Sequence, residues 1–230
     1  MDELDQKFFQ YFYDQNKDTY IPGPKPSAET LAKYRDKLPE PLIRVWETLG
    51  FGVFEKGVIQ LVNPDDWDFV YKYSTCEYNL AHIIGITALG NLIAYQGYGR
   101  CWKEEKQDYE PMVSVDIIYI HEGKLDLKAR GNATSMAIWF DDISYHDAHP
   151  TKENFDFFVK NYRLSQYYKV KDKLGPLQFG QCYGYMPLPE LGGNKRYQNL
   201  RIWDAKTYVL QTLEAQGPRW DKDISLAGVF

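Results

Sequence analysis

Cysteine is scarce in this chain: Cys76, Cys101 and Cys182 are odd in number, far apart and without a Cys-x-x-Cys pair. That excludes a disulfide framework and a zinc knuckle, and it fits a reducing compartment. Long apolar runs are also missing, and no stretch approaches the roughly 18 residues that a membrane-spanning helix needs. The N-terminus, MDELDQKFFQYFYD, carries acids where an export signal needs bases, and it lacks an apolar run before a small-residue cleavage site. A cytoplasmic location is therefore expected, and the Asn132-Ala133-Thr134 sequon carries no weight there. Positive charge is in short supply, with 27 Lys and Arg against 32 Asp and Glu and a net charge of −5. A direct nucleic-acid binder, which needs clustered cations, is not expected. The chain shows no internal repeat and no low-complexity tract.

What is present is enough to build a large core. Hydrophobic residues make up 44% of the 230 and aromatics 16%, so one large domain or two closely packed ones are allowed without disulfides. Leu4, Phe8, Tyr11 and Phe12 recur at helical spacing over 2–15, and the IPGPKP run at 21–26 then breaks regular structure. Ser27 caps a short helix over 28–36. Pro39-Glu40-Pro41 opens another, with Leu42, Val45, Trp46 and Leu49 on one face and Gly50 at its end. Val58–Val62 reads as a buried strand, followed by a helix with Asn63 as cap, Pro64 at its first position and an apolar stripe of Trp67, Val70 and Tyr71.

From 80 to 140 the pattern turns to strands: Leu80–Leu89, Leu92–Tyr95, Met112–Ile120, Lys124–Lys128 and Thr134–Phe140, with His121-Glu122-Gly123 closing a hairpin. Thr151 caps a helix bearing Phe155, Phe158, Val159 and Tyr162, and a last helix over about 204–216 stops at Gly217-Pro218. The expected fold is α/β of the α+β type: a curved, mostly antiparallel sheet with helices packed at both ends of the chain. We expect an N-terminal domain over 1–110 and a C-terminal domain over 111–230, closely packed together.

The segment 176–200 concentrates special backbone positions (Gly175-Pro176, Gly184, Pro187-Leu188-Pro189, Gly192-Gly193) among apolar and aromatic residues, and it carries almost no catalytic chemistry. It reads as a scaffold or docking surface. Together with a second stretch it also carries a resemblance. Over 31–67, Tyr34, Leu38-Pro39, Trp46 with Gly50, Gly57 and Asn63-Pro64-Asp65 resemble the GAD-like domain. Over 174–200, Leu174–Leu177, Cys182–Pro187 and Leu191–Gly193 resemble the C-terminal domain of the same proteins. Proteins with this pair look like immunity proteins of the type VI secretion DNase effector system. The resemblance implies a non-catalytic cytosolic antidote that binds and neutralises a cognate DNase toxin, without a cofactor.

Against that reading stand a few chemical candidates. Asp141, Asp142, Tyr145, His146, Asp147 and His149 hold metal-ligand types at short spacing, and a small metal-dependent hydrolase using Asp141, Asp142, His146 and His149 is the rival. Pro150 ends that segment, and no further His or Cys completes a tetrahedral set. A ligand-sensing regulatory module is a third reading. His82 in an apolar strand and His121 in a turn have no partner visible in the sequence, and Cys182 lacks a neighbouring base, so each reads as structural. Gly97-x-Gly99 is followed by Cys101-Trp102, where a phosphate loop needs more glycine or a Lys.

The acids are the better functional candidates. Residues 62–110 hold eight acids against four bases. Given a DNase partner with a basic groove, such a surface would be steered to it. The expected partner-binding residues are Asp65, Asp66, Glu77, Glu104, Glu105, Asp108 and Glu110, with Trp102 and Tyr109 as aromatic anchors. Asp65 and Asp66 would also serve the dipole of their own helix.

Overall fold

The computed structural model describes residues 3–73, 81–96, 100–103, 108–111, 113–121, 124–131 and 164–217. The expected strand at 134–140, the helix begun by Thr151 and the 141–149 polar cluster lie outside these residues. So do Glu77, Glu104 and Glu105.

Helix α1 (Glu3–Asn16) buries Phe9 and Phe12, whereas Tyr11, expected on the same face, is 40% exposed. The inward stripe follows the 9, 12, 16 spacing and ends in a buried asparagine. Strand β1 (Ile21–Pro22) is followed by α2 (Ala28–Tyr34), whose cap Ser27 accepts the Thr30 N–H at 3.0 Å. Helix α3 (Glu40–Thr48) turns Leu42, Ile43, Val45 and Trp46 wholly inward. The segment Pro64–Tyr73, expected as an α-helix, is a succession of 3-10 turns that still buries Trp67 and Val70. The tighter winding suits a stretch with four aromatic residues, which lose side-chain freedom in an α-helix, and only short apolar contacts to make.

The main sheet is antiparallel throughout. Its strands are β1, β2 (Gly52–Phe54), β3 (Ile59–Leu61), β4 (Ala81–Thr87), β5 (Leu92–Gln96), β8 (Val113–Tyr119) and β9 (Lys124–Gly131), in that spatial order. The expected fold class, a mixed α and β protein with an antiparallel sheet, is what is found. Between β5 and β8 the chain leaves the sheet to form a separate hairpin, β6 (Arg100–Lys103) with β7 (Asp108–Pro111), which the charged sequence had not signalled. The β8–β9 hairpin closes where His121 suggested, with Tyr119 opposite Lys124.

Alternation along the strands divides the interior in two, because successive side chains leave opposite faces. Ile93 and Tyr95 join Trp46, Phe12 and Phe54 under α1–α3, while Leu92 and Ala94 join Trp67, Val70 and Ile118 on the other side. Helix α5 (Ala205–Gln216), capped by Asp204, covers that second face with Tyr208, Val209 and Leu213. Helix α4 (Leu164–Leu174), not expected from the sequence, adds Val170 to the first.

The hairpin of β10 (Gln181–Tyr185) and β11 (Leu200–Asp204) feeds both interiors, with Tyr183 and Tyr185 in one and Cys182 in the other. It is joined to the main sheet by polar ties. Gln60, wholly buried in β3, donates its carboxamide N–H to the Gln181 carbonyl and accepts the Gly180 N–H at 2.9 Å. The Ala88 carbonyl accepts the Tyr183 N–H at 2.8 Å, and its N–H reaches the Val58 carbonyl at 2.7 Å.

A second buried clamp holds α1. The Asn16 carboxamide accepts the Glu55 N–H at 2.8 Å and donates to the Glu55 carboxylate at 2.9 Å. Glu55 and Lys56 turn the chain with φ of 50° and 57°, a left-handed conformation that non-glycine residues seldom hold without support. Burial pushes the Glu55 carboxyl above its ordinary range, and the Asn16 hydrogen bond only partly opposes this.

Two outcomes follow for stability. Gln60→Leu leaves the Gly180 N–H and Gln181 carbonyl unpaired in the interior, and urea unfolding is expected to show a loss of about 2 kcal/mol or more. For Glu55, the folded pKa lies above the unfolded one. Its favourable contribution is complete below the unfolded value and disappears as pH rises through the folded one. Glu55→Gln is therefore expected to unfold at higher urea than the wild type at pH 8, with the advantage shrinking as pH falls to 4.

Candidate functional site

The densest polar centre lies under α5. At the end of β8, the His121 imidazole faces Glu190 through Nδ1 at 2.9 Å and the Tyr208 hydroxyl through Nε2. Tyr208 in turn accepts the Tyr185 N–H at 2.9 Å. A carboxylate only accepts, so the arrangement that pairs every one of these groups has the imidazole proton on Nδ1 and the phenol donating to Nε2. The His121 and Glu190 side chains are 8% and 7% exposed and Tyr208 is fully buried. Among the described residues, Glu190 Oε2 is buried without a hydrogen-bond partner. The local sequence explains the packing: Gly184 lies under the Tyr208 ring, and a Cβ there would fall 2.3 Å from a ring carbon.

Carboxylate, imidazole and hydroxyl in a row resemble a nucleophile relay. The chemistry does not follow the resemblance. Burial drives the Tyr208 phenol well above its ordinary pKa, and the hydroxyl has no exposed surface from which to attack a substrate. What the relay does is join three distant pieces: the end of β8, the turn Pro189–Leu191 and α5. The expectation that His121 lacks a partner is thereby corrected, since both partners come from the far end of the chain. His82 likewise gains a neighbour, its ring edge-on to Tyr34 at 5.4 Å, and desolvation lowers its pKa. Cys182 is wholly buried and its thiol is pushed up by desolvation, as expected of an inert core cysteine.

The acids predicted to meet a partner fall into separate situations. Asp65 takes hydrogen bonds from the Lys33 ammonium and the Tyr34 hydroxyl on one oxygen. Partial burial alone would raise its carboxyl, but these two donors outweigh it and hold the pKa below the ordinary value. Asp66 pairs with Lys206 of α5 at 3.1 Å, both side chains about half exposed. These two carboxylates thus tie the Pro64–Tyr73 turns to α2 and to α5. Trp102, Asp108, Tyr109 and Glu110 all lie on the β6–β7 hairpin, Trp102 opposite Tyr109, Lys103 opposite Asp108 and Cys101 opposite Glu110.

The segment read from its sequence as a scaffold or docking surface leaves apolar side chains open, and which ones was not legible in the sequence. Of five large apolar side chains exposed among the described residues, Met186, Leu191, Tyr197 and Ile202 lie in the stretch 186–202. Its glycine and proline content had marked this stretch as a scaffold or docking surface, but which side chains are exposed depends on neighbours that the local sequence does not name. Among the described residues no cluster of three or more His, Cys, Asp or Glu is placed to hold a metal, and no helix is long and apolar enough to cross a membrane.

Fold and site together define a layered α and β protein with a closed internal polar lock and with exposed apolar side chains concentrated at 186–202. Two family models match it in succession, the GAD-like domain over residues 7–118 and the C-terminal domain of T6SS immunity protein Tdi1 over residues 144–211. The chain belongs to this family of type VI secretion immunity proteins, in which a GAD-like domain precedes the immunity domain. Among solved structures it is similar to the crystal structure of Atu4351 from Agrobacterium tumefaciens. The TM-score is 0.57 at 18% identity, covering 88% of this chain and 89% of that one, which shows a shared fold. No curated protein matches the sequence.

Tyr208→Phe tests the lock. It leaves the Tyr185 N–H and His121 Nε2 without partners and is expected to cost about 1–3 kcal/mol in urea unfolding.

Proposed function

We propose that this protein is a non-catalytic cytosolic antidote that binds a DNase effector and blocks its cleavage of DNA. The observation that carries the reading is the immunity-family match over 144–211, which includes Glu190 and Tyr208 of the internal lock and the exposed 186–202 stretch. A DNase must hold a polyanion, so its working groove is basic. The β6–β7 hairpin forms a sheet separate from the main one and carries Trp102, Asp108, Tyr109 and Glu110, with Glu104 and Glu105 between its two strands in the sequence. It is the element we assign to that groove, its acids raising the encounter rate and its aromatics anchoring contact. Glu77, Asp65 and Asp66 belong to the same acidic stretch of sequence. Asp65 and Asp66, already paired within the fold, would contribute field more than direct contact. The chemistry at the lock supports a protein without turnover, since its hydroxyl is sealed and its thiol neighbour Cys182 is buried.

The test is titration of the purified protein into the nuclease encoded by its neighbouring gene while DNA cleavage is followed. Cleavage is expected to stop at one equivalent, and full cleavage at excess protein would end the reading.

A further inference from the structure

We propose that residues 186–202 form a second docking face for the effector, one that receives an apolar surface rimmed by carboxylates. The proposal rests on the immunity reading above and adds a contact of opposite charge to the acidic hairpin. Met186, Leu191, Tyr197 and Ile202 are 56%, 69%, 41% and 39% exposed. Single exposed apolar side chains are ordinary on any surface, whereas four within one short stretch mark an interaction site.

The stretch is held in shape. Met186 donates its N–H to the Asn199 carbonyl at 2.8 Å, while the Leu191 and Gly193 N–H groups both reach the Leu188 carbonyl at 3.0 Å. Asn199 binds the Asn194 side chain at 2.7 Å, and the Lys195 ammonium reaches the His121 carbonyl at 2.9 Å. At Gly193 a Cβ would stand 2.1 Å from the Pro187 oxygen, so only glycine allows the turn to close this tightly. Leu188, Tyr185 and Leu200 anchor it from beneath. A face ordered before binding loses little entropy on docking.

The charge pattern names the partner's chemistry. Lys195, Arg196 and Arg201 are exposed, and none of them pairs with a carboxylate among the described residues. Arg201 donates to the Gln198 and Leu200 carbonyls, at 2.9 and 2.7 Å, neither of which carries a formal charge. Glu190, the acid of the stretch, is turned inward onto His121. Three exposed cations in the same short stretch as four exposed apolar groups complement an apolar patch edged with Asp or Glu.

The experiment measures binding of the full chain to the nuclease from the neighbouring gene by calorimetry and stopped flow. Leu191→Asp, Met186→Asp and the double variant Arg196→Glu/Arg201→Glu are compared with the wild type, each first shown to unfold at the wild-type urea midpoint. Both apolar replacements are expected to raise Kd about tenfold or more, and the charge reversal to slow association and remove part of its salt dependence. Tyr11→Asp, an exposed position in α1 outside this stretch, is expected to leave Kd unchanged. Unchanged Kd in all three variants, with the wild type binding tightly, would overturn this face and leave the immunity reading standing. No binding by the wild type would overturn both. A wild-type dimer in light scattering that Leu191→Asp dissociates, with Kd for the nuclease unaltered, would reassign the face to self-association.

Discussion

One buried side chain, Gln60, determines how the two ends of this chain meet. A carboxamide can accept and donate at once, and Gln60 does both toward adjacent peptide groups, Gly180 and Gln181, some 120 residues further along. With the Ala88 carbonyl holding Tyr183, these bonds set the β10–β11 hairpin against the main sheet. From that placement follows the rest of the C-terminal half: Cys182 and Tyr183 enter opposite interiors, Ala205 is tied to the Gly180 carbonyl, and α5 comes down on the second face of the sheet. A purely apolar junction would permit sliding by a residue. Hydrogen-bonded peptide groups do not, because a shift of one position leaves buried donors and acceptors unpaired.

The same logic recurs at each seam. Asn16 clamps Glu55, and His121 bridges Glu190 and Tyr208. Asp65 joins α2 to the 3-10 turns. Each tie runs between elements distant in sequence, and each uses a polar group inside or beside an apolar interior, where a hydrogen bond is strong and its loss is costly. Rigidity of this kind suits the proposed role of presenting a surface to a partner. The lock under α5 keeps the 186–202 stretch in one shape, since Glu190 lies within it and Lys195 reaches the His121 backbone.

Much of this was legible in the sequence. Local signals located the helices at 28–34, 40–48 and 205–216, because capping by Ser27 and termination at Gly50 and Gly217 act within a few residues. β-Branched and aromatic runs bounded by turns located β4, β5, β8 and β9, and their short connections predicted an antiparallel sheet. The β6–β7 hairpin escaped notice because its charged residues form no such run, and α4 because its apolar residues are sparse and its context distant. Along Pro64–Tyr73 the cap and apolar stripe were readable, but the choice of 3-10 winding over α was not.

For the candidate site the division is sharper. The sequence by itself determined which residues could carry charge, cap a helix or turn left-handed, and it carried the family pattern at 31–67 and 174–200, since those are properties of single residues and short spacings. Only the tertiary structure decided that Asp65 and Asp66 are already bonded within the fold, that His121 has two partners, and that Met186, Leu191, Tyr197 and Ile202 are left uncovered. Pairing and exposure depend on what the chain brings alongside from far away, and no local spacing encodes that.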